Sequence, residues 1–346
     1  MRRLIICVLS LAVVGPGAGV ARANELIVNS YGGPYEAIIQ ERIIAPFEKQ
    51  FGIKVIYDAA GSASQDYAKI KATRGRPGFD VVVMTAQESL AGCRDNLLEK
   101  LHAEAIPNLA QLDRKVGAMA GECGAVHEVQ YLSLLFRQDR TGRQLESWQD
   151  LNNPDLKGKI ILPGIGNVMA VFLTQMMSIA NGGSLTNLDP GFAAMKKMAS
   201  QTVAFEQSSS IMDKYMREGR VAAMPSWSGR AQLLKDEGVP VDYVIPKEGT
   251  IPLIATLNVP VGAQNKTAAF KFVNFFLEKA SQEAWVAGYK VGSIRSDLDV
   301  APDIRARQIT TKADLEKLHL PDLEATSVAL PFISDRWKRE IVAAAR

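Results

Sequence analysis

The chain has 346 residues, of which 47% are hydrophobic and 22% are charged, and its formal net charge at pH 7 is +3. Three of its 40 basic residues and none of its 37 acidic residues lie within residues 1–23, so the rest of the chain is close to neutral. This balance excludes the basic surface that a nucleic-acid-binding protein needs, and the length predicts two lobes because it exceeds one comfortable hydrophobic core.

The first 23 residues have the pattern of a secretory signal peptide. Two arginines follow Met1, Leu4–Val14 is an apolar stretch of 11 residues, and Ala21-Arg22-Ala23 has the small-x-small form of a cleavage site. An N-terminal membrane anchor is the alternative, but the stretch falls short of the ~20 residues that span a bilayer. We therefore expect general secretion, cleavage after about Ala23 and a periplasmic location.

Residues 25–84 alternate between strands and helices. Short apolar strands are predicted at Glu25–Ser30, Ile53–Tyr57 and Phe79–Met84, with helices over Glu36–Phe51 and Gln65–Thr73. Strand–helix–strand repeats of this length predict a parallel sheet with right-handed crossovers.

Two cysteines, Cys93 and Cys123, follow the predicted signal peptide. In an exported protein an even pair predicts a disulfide, and the alternative is a pair of unbonded buried thiols. His102, His127 and His319 show no metal-ligand spacing. The sequence therefore predicts no metal site, and no motif in it calls for a cofactor.

The second half of the chain repeats this alternation and then returns to the first sheet. Two α/β lobes result, each a mainly parallel sheet flanked by helices, with a cleft between them. The chain is predicted to cross between the lobes near residues 125–130 and 252–260. Residues 24–128 and 256–310 are predicted to form lobe 1, and residues 129–255 and 311–346 lobe 2 with the C-terminal helices. The predicted strands are Val129–Phe136, Gly158–Leu162, Val221–Met224, Val241–Ile245 and Leu253–Pro260, and the main helices are Asn167–Ala180, Ile211–Arg217, Arg230–Glu237 and Thr267–Lys279.

Six segments follow one another in a specific order and spacing: Phe51–Tyr57, Tyr67–Lys71, Phe79–Val83, Ser147–Leu151, Lys157–Lys159 and Gly238–Asn265. In these segments the chain resembles the periplasmic solute-binding proteins of bacterial ABC importers, in particular the branch with spermidine/putrescine-binding and ferric-iron-binding members. The resemblance covers nearly the whole chain after residue 23. It implies a type II periplasmic-binding-protein clamshell, a monomer that closes over one small solute and delivers it to a membrane permease without catalysing a reaction.

Departures from the polyamine binders bear on the solute. Leu253 and Ala255 stand where those proteins have an aromatic residue and an aspartate, and Pro163–Asn167 lacks their acidic pair. A buried ammonium without a carboxylate costs several kcal/mol, so a polyamine is disfavoured. The family's ferric sites use paired tyrosines where this chain has Trp227 and Arg230, so iron is disfavoured as well.

Residues at the predicted strand ends form the candidate site. They are rich in hydroxyls and other donors, include one cation and contain almost no acids. The serines at a helix start and Arg230 favour an anion, so we expect a small anionic or zwitterionic organic solute, with a polyamine as the alternative. The candidate residues are Ser30, Tyr31, Tyr35, Ser62, Ser64, Thr85, Gln87, Asn167, Ser208, Ser226, Trp227 and Arg230.

Several of these residues also have purely structural interpretations. Ser62 and Ser64 are suitable helix caps, and Arg230 could pair with Glu237 or Asp236 along its own helix. Trp227 could fill the core, although it also matches a tryptophan of the polyamine binders. The two tyrosines Tyr31 and Tyr35 could simply frame a glycine turn.

Two other functions compete with solute import. One is an exported hydrolase, but Ser226 and Ser228 lack the flanking glycines of a nucleophile elbow. The other is a receptor that presents its bound solute to a chemosensory protein and uses the same cleft.

Overall fold

The computed structural model of the protein describes residues 25–59 and 62–345. The predicted signal peptide, residues 1–23, lies outside the described residues. Within these ranges, no helix combines the length and the apolar character needed to cross a membrane.

The described residues form nine strands in one mixed sheet. Most strands are short and buried, and β4 is by far the longest. The strands are β1 Glu25–Asn29, β2 Lys54–Asp58, β3 Val81–Thr85, β4 Ala125–Phe136, β5 Ile160–Pro163, β6 Thr202–Glu206, β7 Ala223–Trp227, β8 Asp242–Val244 and β9 Pro252–Asn258.

The sheet has two parallel groups joined by two antiparallel strands. The order is β2-β1-β3-β9-β4-β7-β5-β6, with β8 paired to the end of β4. β1, β2 and β3 are parallel to one another, as are β5, β6 and β7. β4 and β9 run antiparallel to each other and to their outer neighbours. The chain therefore crosses between the two groups through β4 and β9, at the positions that the sequence predicted for the crossings.

Helices cover the sheet and extend the chain beyond it. Short 3-10 and π segments continue several of them, including a π turn at Gln40–Ile44 that joins the first two helices. The helices are α1 Pro34–Ile39, α2 Ala45–Phe51, α3 Ala63–Ala72, α4 Ala86–Arg94, α5 Arg114–Gly117, α6 Gln138–Thr141, α7 Val168–Ala180, α8 Asp189–Ala199, α9 Ser209–Arg217, α10 Ser228–Asp236, α11 Lys266–Phe276, α12 Lys279–Tyr289, α13 Pro302–Arg305, α14 Lys312–Leu315 and α15 Leu323–Trp337.

Helix α4 and strand β6 have no counterpart in the sequence prediction. Helix α4 begins directly after β3, with Thr85 as its N-cap and no turn residues between strand and helix. Strand β6 is half-exposed along its length, so its sequence lacks the apolar run of the central strands. The predicted helix over Thr267–Lys279 is also shorter, since α11 ends at Phe276 and Glu278 caps a new helix.

Two large hydrophobic clusters lie on either side of the crossing strands. One packs β1 and β3 against α2, α11 and α12 and includes Phe47, Phe272 and Trp285. The other packs β4, β5 and β7 against α7 and α8 and includes Trp148 and Trp337. This division agrees with two lobes, and the residue limits given for them above stay a prediction.

The predicted disulfide is confirmed. Cys93 near the end of α4 is bonded to Cys123, 30 residues further along the chain, with the Cα atoms 5.6 Å apart. The bond fastens α4 to the segment that enters β4. It therefore braces one of the two crossings.

Replacing both cysteines by serine should lower the free energy of unfolding. A loop of this length, once opened, is expected to cost about 3–4 kcal/mol, because the unfolded chain regains conformational freedom. Urea unfolding of the Cys93→Ser/Cys123→Ser protein measures this, with the wild type plus reductant as the matched comparison. An unchanged midpoint in both samples would show that the bond contributes nothing to stability.

Candidate ligand-binding cleft

The site lies where the two parallel groups of strands meet the crossing strands. Small ligands bind at the carboxyl ends of strands in α/β sheets. Here a cavity of about 200 Å³ is lined by Thr85 and Gln87 after β3, and by Val168 and Phe172 of α7. Leu253 of β9 forms part of the same wall. Thr85 and Gln87 thus face residues of the second half across a gap, as a cleft requires.

A wall of tyrosine rings lies near enough to Glu88, a residue of the cavity, for the charge of this carboxylate to act on Tyr31. The ring of Tyr35 lies 5.2 Å from that of Tyr31 and 5.2 Å from that of Tyr289. The Tyr57 hydroxyl donates to the Tyr31 carbonyl oxygen at 2.5 Å, and burial raises the pKa of Tyr57 to about 12. These phenols are therefore neutral at physiological pH, and their rings can pack against the methylene groups of a ligand.

Three carboxylates act on Tyr31. The pKa of this tyrosine is raised, mainly by burial and then by the negative charges of Glu128, Glu88 and Asp66. These acids come from β4, α4 and α3. The tyrosine wall therefore stands in a negative field.

Glu128 is buried within β4, with 3% of its surface exposed. Its Oε1 accepts a hydrogen bond from Gln130 Nε2 at 2.7 Å, whereas its Oε2 has no hydrogen-bond partner within bonding geometry among the described residues. His127 Nε2 lies 4.0 Å from Oε2, but burial lowers the pKa of His127 to about 3, so this ring is neutral. Burial raises the pKa of Glu128 to about 7, and the side chains of Gln130 and Trp285 oppose that rise.

The sequence prediction did not include these three acids, of which Glu88 lines the cavity and Glu128 and Asp66 are buried near the tyrosines. The three carboxylates escaped the sequence analysis because none of them directly follows a strand. Glu128 lies within β4, while Asp66 and Glu88 lie in the first turns of α3 and α4. The described part of the chain contains no group of three His, Cys, Asp or Glu side chains that could hold a metal ion.

The start of α3 does not favour an anion. Ser62 and Ser64 are exposed, and Ser62 Oγ accepts a hydrogen bond from Gln65 N at 3.5 Å, as a helix cap does. Asp66 in the first turn is 3% exposed, and burial raises its pKa to about 6. The geometry supports the capping interpretation of these serines, because a carboxylate already occupies the positive end of the helix dipole.

Arg230 lies at the start of α10 and is paired already. Its Nη2 donates to Ser210 Oγ at 3.1 Å and to the carboxylate of Asp213, which is 4% exposed. Neither partner expected from the sequence is used, since Glu237 binds Arg217 and Asp236 binds Lys290. Arg230 Nε is buried without a partner in the described structure.

The remaining predicted residues differ in what their side chains do. Asn167 caps α7 and bonds to Gln207 O and Ser209 Oγ, so its polar atoms are engaged locally. Ser226 is 2% exposed and lies opposite Ser133 in the β4–β7 ladder. Both side chains form hydrogen bonds within the protein.

Four predicted residues remain near the cleft or beneath it. Trp227 is 8% exposed and packs edge-on against Phe172, a residue of the cavity wall. Ser208 is half-buried at the start of α9. Tyr35 is buried with its hydroxyl 2.9 Å from His127 Nε2, and Ser30 is buried with an unpartnered hydroxyl among the described atoms.

Sequence reasoning missed Glu128 and Gln130. A signal was present, because His127, Glu128 and Gln130 interrupt an otherwise apolar strand. A charged residue within a strand that is buried on both faces costs free energy unless a partner or a ligand compensates it. Such an interruption is better evidence of a site than a hydroxyl at a strand end.

The titration of Glu128 predicts how stability changes with pH. Its pKa rises from the usual 4.5 to about 7 on folding, so its contribution favours the folded state below pH 4.5 and disappears as the pH rises through 7. Glu128→Gln should therefore be more stable than the wild type at pH 8, by on the order of 3 kcal/mol, and close to it at pH 4.5.

Urea unfolding at both pH values measures this difference. Glu104→Gln, at an exposed carboxylate, is the matched control and should change little. Equal stability of wild type and Glu128→Gln at pH 8 would show that the ionised Glu128 carboxylate does not destabilise the folded protein.

Comparisons with known proteins agree with this architecture. A family model for bacterial extracellular solute-binding proteins matches residues 42–311. The spermidine/putrescine-binding periplasmic protein of Escherichia coli K12 is 27% identical over 286 residues, which are 80% of each chain. The gamma-aminobutyric acid-binding protein of Pseudomonas aeruginosa PAO1 is 24% identical over 322 residues, 89% of this chain and 88% of that protein.

A solved structure shows the same fold. It is the substrate-binding protein of a spermidine/putrescine ABC transporter from Streptococcus pneumoniae, which superposes with a TM-score of 0.77 at 19% identity over 93% of this chain and 100% of that one. The predicted α/β periplasmic-binding-protein fold is thereby confirmed. The chain belongs to the bacterial extracellular solute-binding protein family and is the substrate-binding protein of an ABC transporter.

Proposed function

We propose that the protein captures a small zwitterionic amino acid in the periplasm and delivers it, as a monomer, to a membrane permease. The ammonium group of the solute binds at Glu128 and Tyr31, and its carboxylate binds at Arg230. The observation that carries this proposal is the unpartnered Oε2 of Glu128, which is buried beside neutral tyrosines. A buried carboxylate of this kind favours a cationic partner strongly.

Arg230 and Glu128 are connected through Gln130, whose amide bonds to the Glu128 carboxylate and to the N–H of Gly229, the residue before Arg230. Both charged groups also act on the pKa of Tyr289, which burial and the charge of Glu128 raise and which the guanidinium of Arg230 lowers. A negative and a positive group therefore lie within reach of the same tyrosine. An amino acid with a short methylene spacer carries an ammonium group for Glu128 and a carboxylate for Arg230. The gamma-aminobutyric acid-binding relative is named for such a ligand.

A polyamine is the second candidate. The three carboxylates around Tyr31 favour it, and so do the names of several relatives. Arg230 opposes it, because a second ammonium group would then face a guanidinium. Leu253 and Ala255 also supply no second carboxylate on β9.

A ligand series at pH 7.5 separates these candidates. Isothermal titration should show 4-aminobutyrate binding at least tenfold more tightly than butyrate, butylamine or putrescine, because each comparison ligand leaves one charged group unpaired. Glycine, 3-aminopropionate and 6-aminohexanoate test the length of the spacer. Tighter binding of putrescine would replace the amino acid by a polyamine, and conversion of any ligand into a product would overturn solute import.

The role of Arg230 has its own test. Arg230→Met should weaken 4-aminobutyrate by roughly 30-fold or more, on the order of the ~2 kcal/mol lost when a buried charge pair is broken. The same change should leave butylamine unaffected or improved. Arg230→Met leaves the buried carboxylate of Asp213 without its cationic partner, so the Asp213→Asn/Arg230→Met double variant is measured as well. Arg217→Met is the matched surface control. Full affinity in the double variant would remove Arg230 from the site.

A further inference from the structure

Gln130 connects the buried carboxylate to the helix that carries Arg230. Its Nε2 donates to Glu128 Oε1 at 2.7 Å, and its Oε1 accepts from Gly229 N at 3.2 Å. A Cβ at Gly229 would lie 2.6 Å from Gln130 Oε1. The amide therefore fits between the carboxylate and the backbone of α10. Its NH2 group can only donate and so faces the carboxylate, and its oxygen can only accept and so faces the backbone N–H.

This contact lies where β4 passes from one group of strands to the other. Glu128 and Gln130 are opposite Ala255 and Leu253 of β9, and Leu132 is opposite Trp227 of β7. Residues two apart on a strand project from the same face, so the two polar side chains lie together over the crossing. The β4–β9 register shifts between Val126 and Glu128, which marks the start of this polar segment.

We propose that Gln130 is a positioning residue, which holds the Glu128 carboxylate in place for the ammonium group of the solute and ties that carboxylate to the start of α10. The proposal rests on the proposed function, because it assigns Glu128 to the ammonium group. It adds a physical connection between the two ends of the solute, since α10 begins at Ser228 and carries Arg230.

The connection depends on the charge of Glu128. When the carboxylate is ionised, the bond from Gln130 Nε2 becomes charge-assisted and stronger. Polarisation of the amide then makes Gln130 Oε1 a better acceptor for the N–H of Gly229. Ionisation of Glu128 thereby strengthens the hydrogen bond from Gly229 N to Gln130 at the N-terminus of α10.

Trp285 also opposes the rise in the pKa of Glu128, but the bond to the Gly229 N–H is made by Gln130. His127 is neutral and bonds to Tyr35, and the phenols lose their protons only at alkaline pH. Asp66 and Glu88 share the field at Tyr31, so affinity alone cannot isolate Glu128. The titratable groups that face Glu128 are His127 of β4, Tyr31 before α1, Tyr35 of α1 and Tyr289 of α12.

The test uses two variants that act on the same amide. Gln130→Leu removes both hydrogen bonds with little change in volume. Gly229→Ala keeps the glutamine at position 130, but the added methyl group displaces the Gln130 side chain. Gln232→Leu is the matched control. Gln232 lies on the same helix, α10, and this change removes its amide hydrogen bonds to Asp236 and Tyr243 without touching Glu128.

The first measurement follows carbon-13 shifts of the Glu128 carboxyl and proton shifts of the Gly229 amide from pH 5 to 9, without ligand. In the wild type and in Gln232→Leu, both signals should titrate together with a midpoint near 7. In Gln130→Leu and Gly229→Ala, the Glu128 midpoint should rise by about one pH unit, since the ionised form loses its donor, and the Gly229 amide should no longer follow it.

The second measurement is the affinity for 4-aminobutyrate over the same pH range. Binding to Gln130→Leu should be about eightfold weaker than to the wild type at pH 6.5, and the difference should almost disappear at pH 9, where Glu128 is ionised in both proteins. A uniform loss at every pH, with an unmoved Glu128 midpoint, would make Gln130 a structural residue and overturn the proposal.

The two proposals fail in different ways. If the wild type binds no amino acid of the series, the proposed function is wrong, and the ammonium part of the Gln130 proposal falls with it. The Glu128 and Gly229 titrations still decide the link itself, because they need no ligand. If the wild type binds and neither titration changes in the two variants, only Gln130 loses its role.

Discussion

The buried carboxylate of Glu128 at the strand crossing is the constraint that shapes this site. A charge in the middle of an apolar strand destabilises the fold unless something compensates it, and only one of its two oxygens has a partner among the described residues. The neighbouring tyrosines are neutral and His127 is uncharged, so none of them supplies positive charge. Under the proposed function, the ammonium group of the solute would compensate this charge.

The other half of the cleft limits which cations fit. Arg230 is paired with Asp213, so its guanidinium is not free to bind an anion by itself. A simple inorganic anion would compete with the Asp213 carboxylate. The pair still leaves donors of Arg230 that Asp213 and Ser210 do not use. The proposed zwitterion would pair with both Glu128 and Arg230, whereas a diamine or a dicarboxylate would pair with one of them and be repelled by the other.

Much of the fold followed from the sequence because it depends on apolar periodicity and caps. The strands β1, β2 and β3, the crossings and the disulfide were predicted within a few residues, and the family followed from ordered motifs. The acids were missed for a physical reason. Strand ends can be found by pattern, but whether Asp66 and Glu88 in helical first turns converge on Tyr31 depends on how three elements pack. The pairing of Arg230 with Asp213, 17 residues apart, has no helical or strand periodicity that could reveal it.

In the folded protein the Glu128 carboxylate is close to balance between its two protonation states at neutral pH. With a pKa of about 7, its protonated and ionised forms are nearly equal in population there, so favouring one form over the other takes less than ~1 kcal/mol within the folded state. Under the proposed function, an arriving ammonium group would shift this balance and release a proton. Because β4 crosses between the two groups of strands at this point, the shift would occur where both groups share backbone.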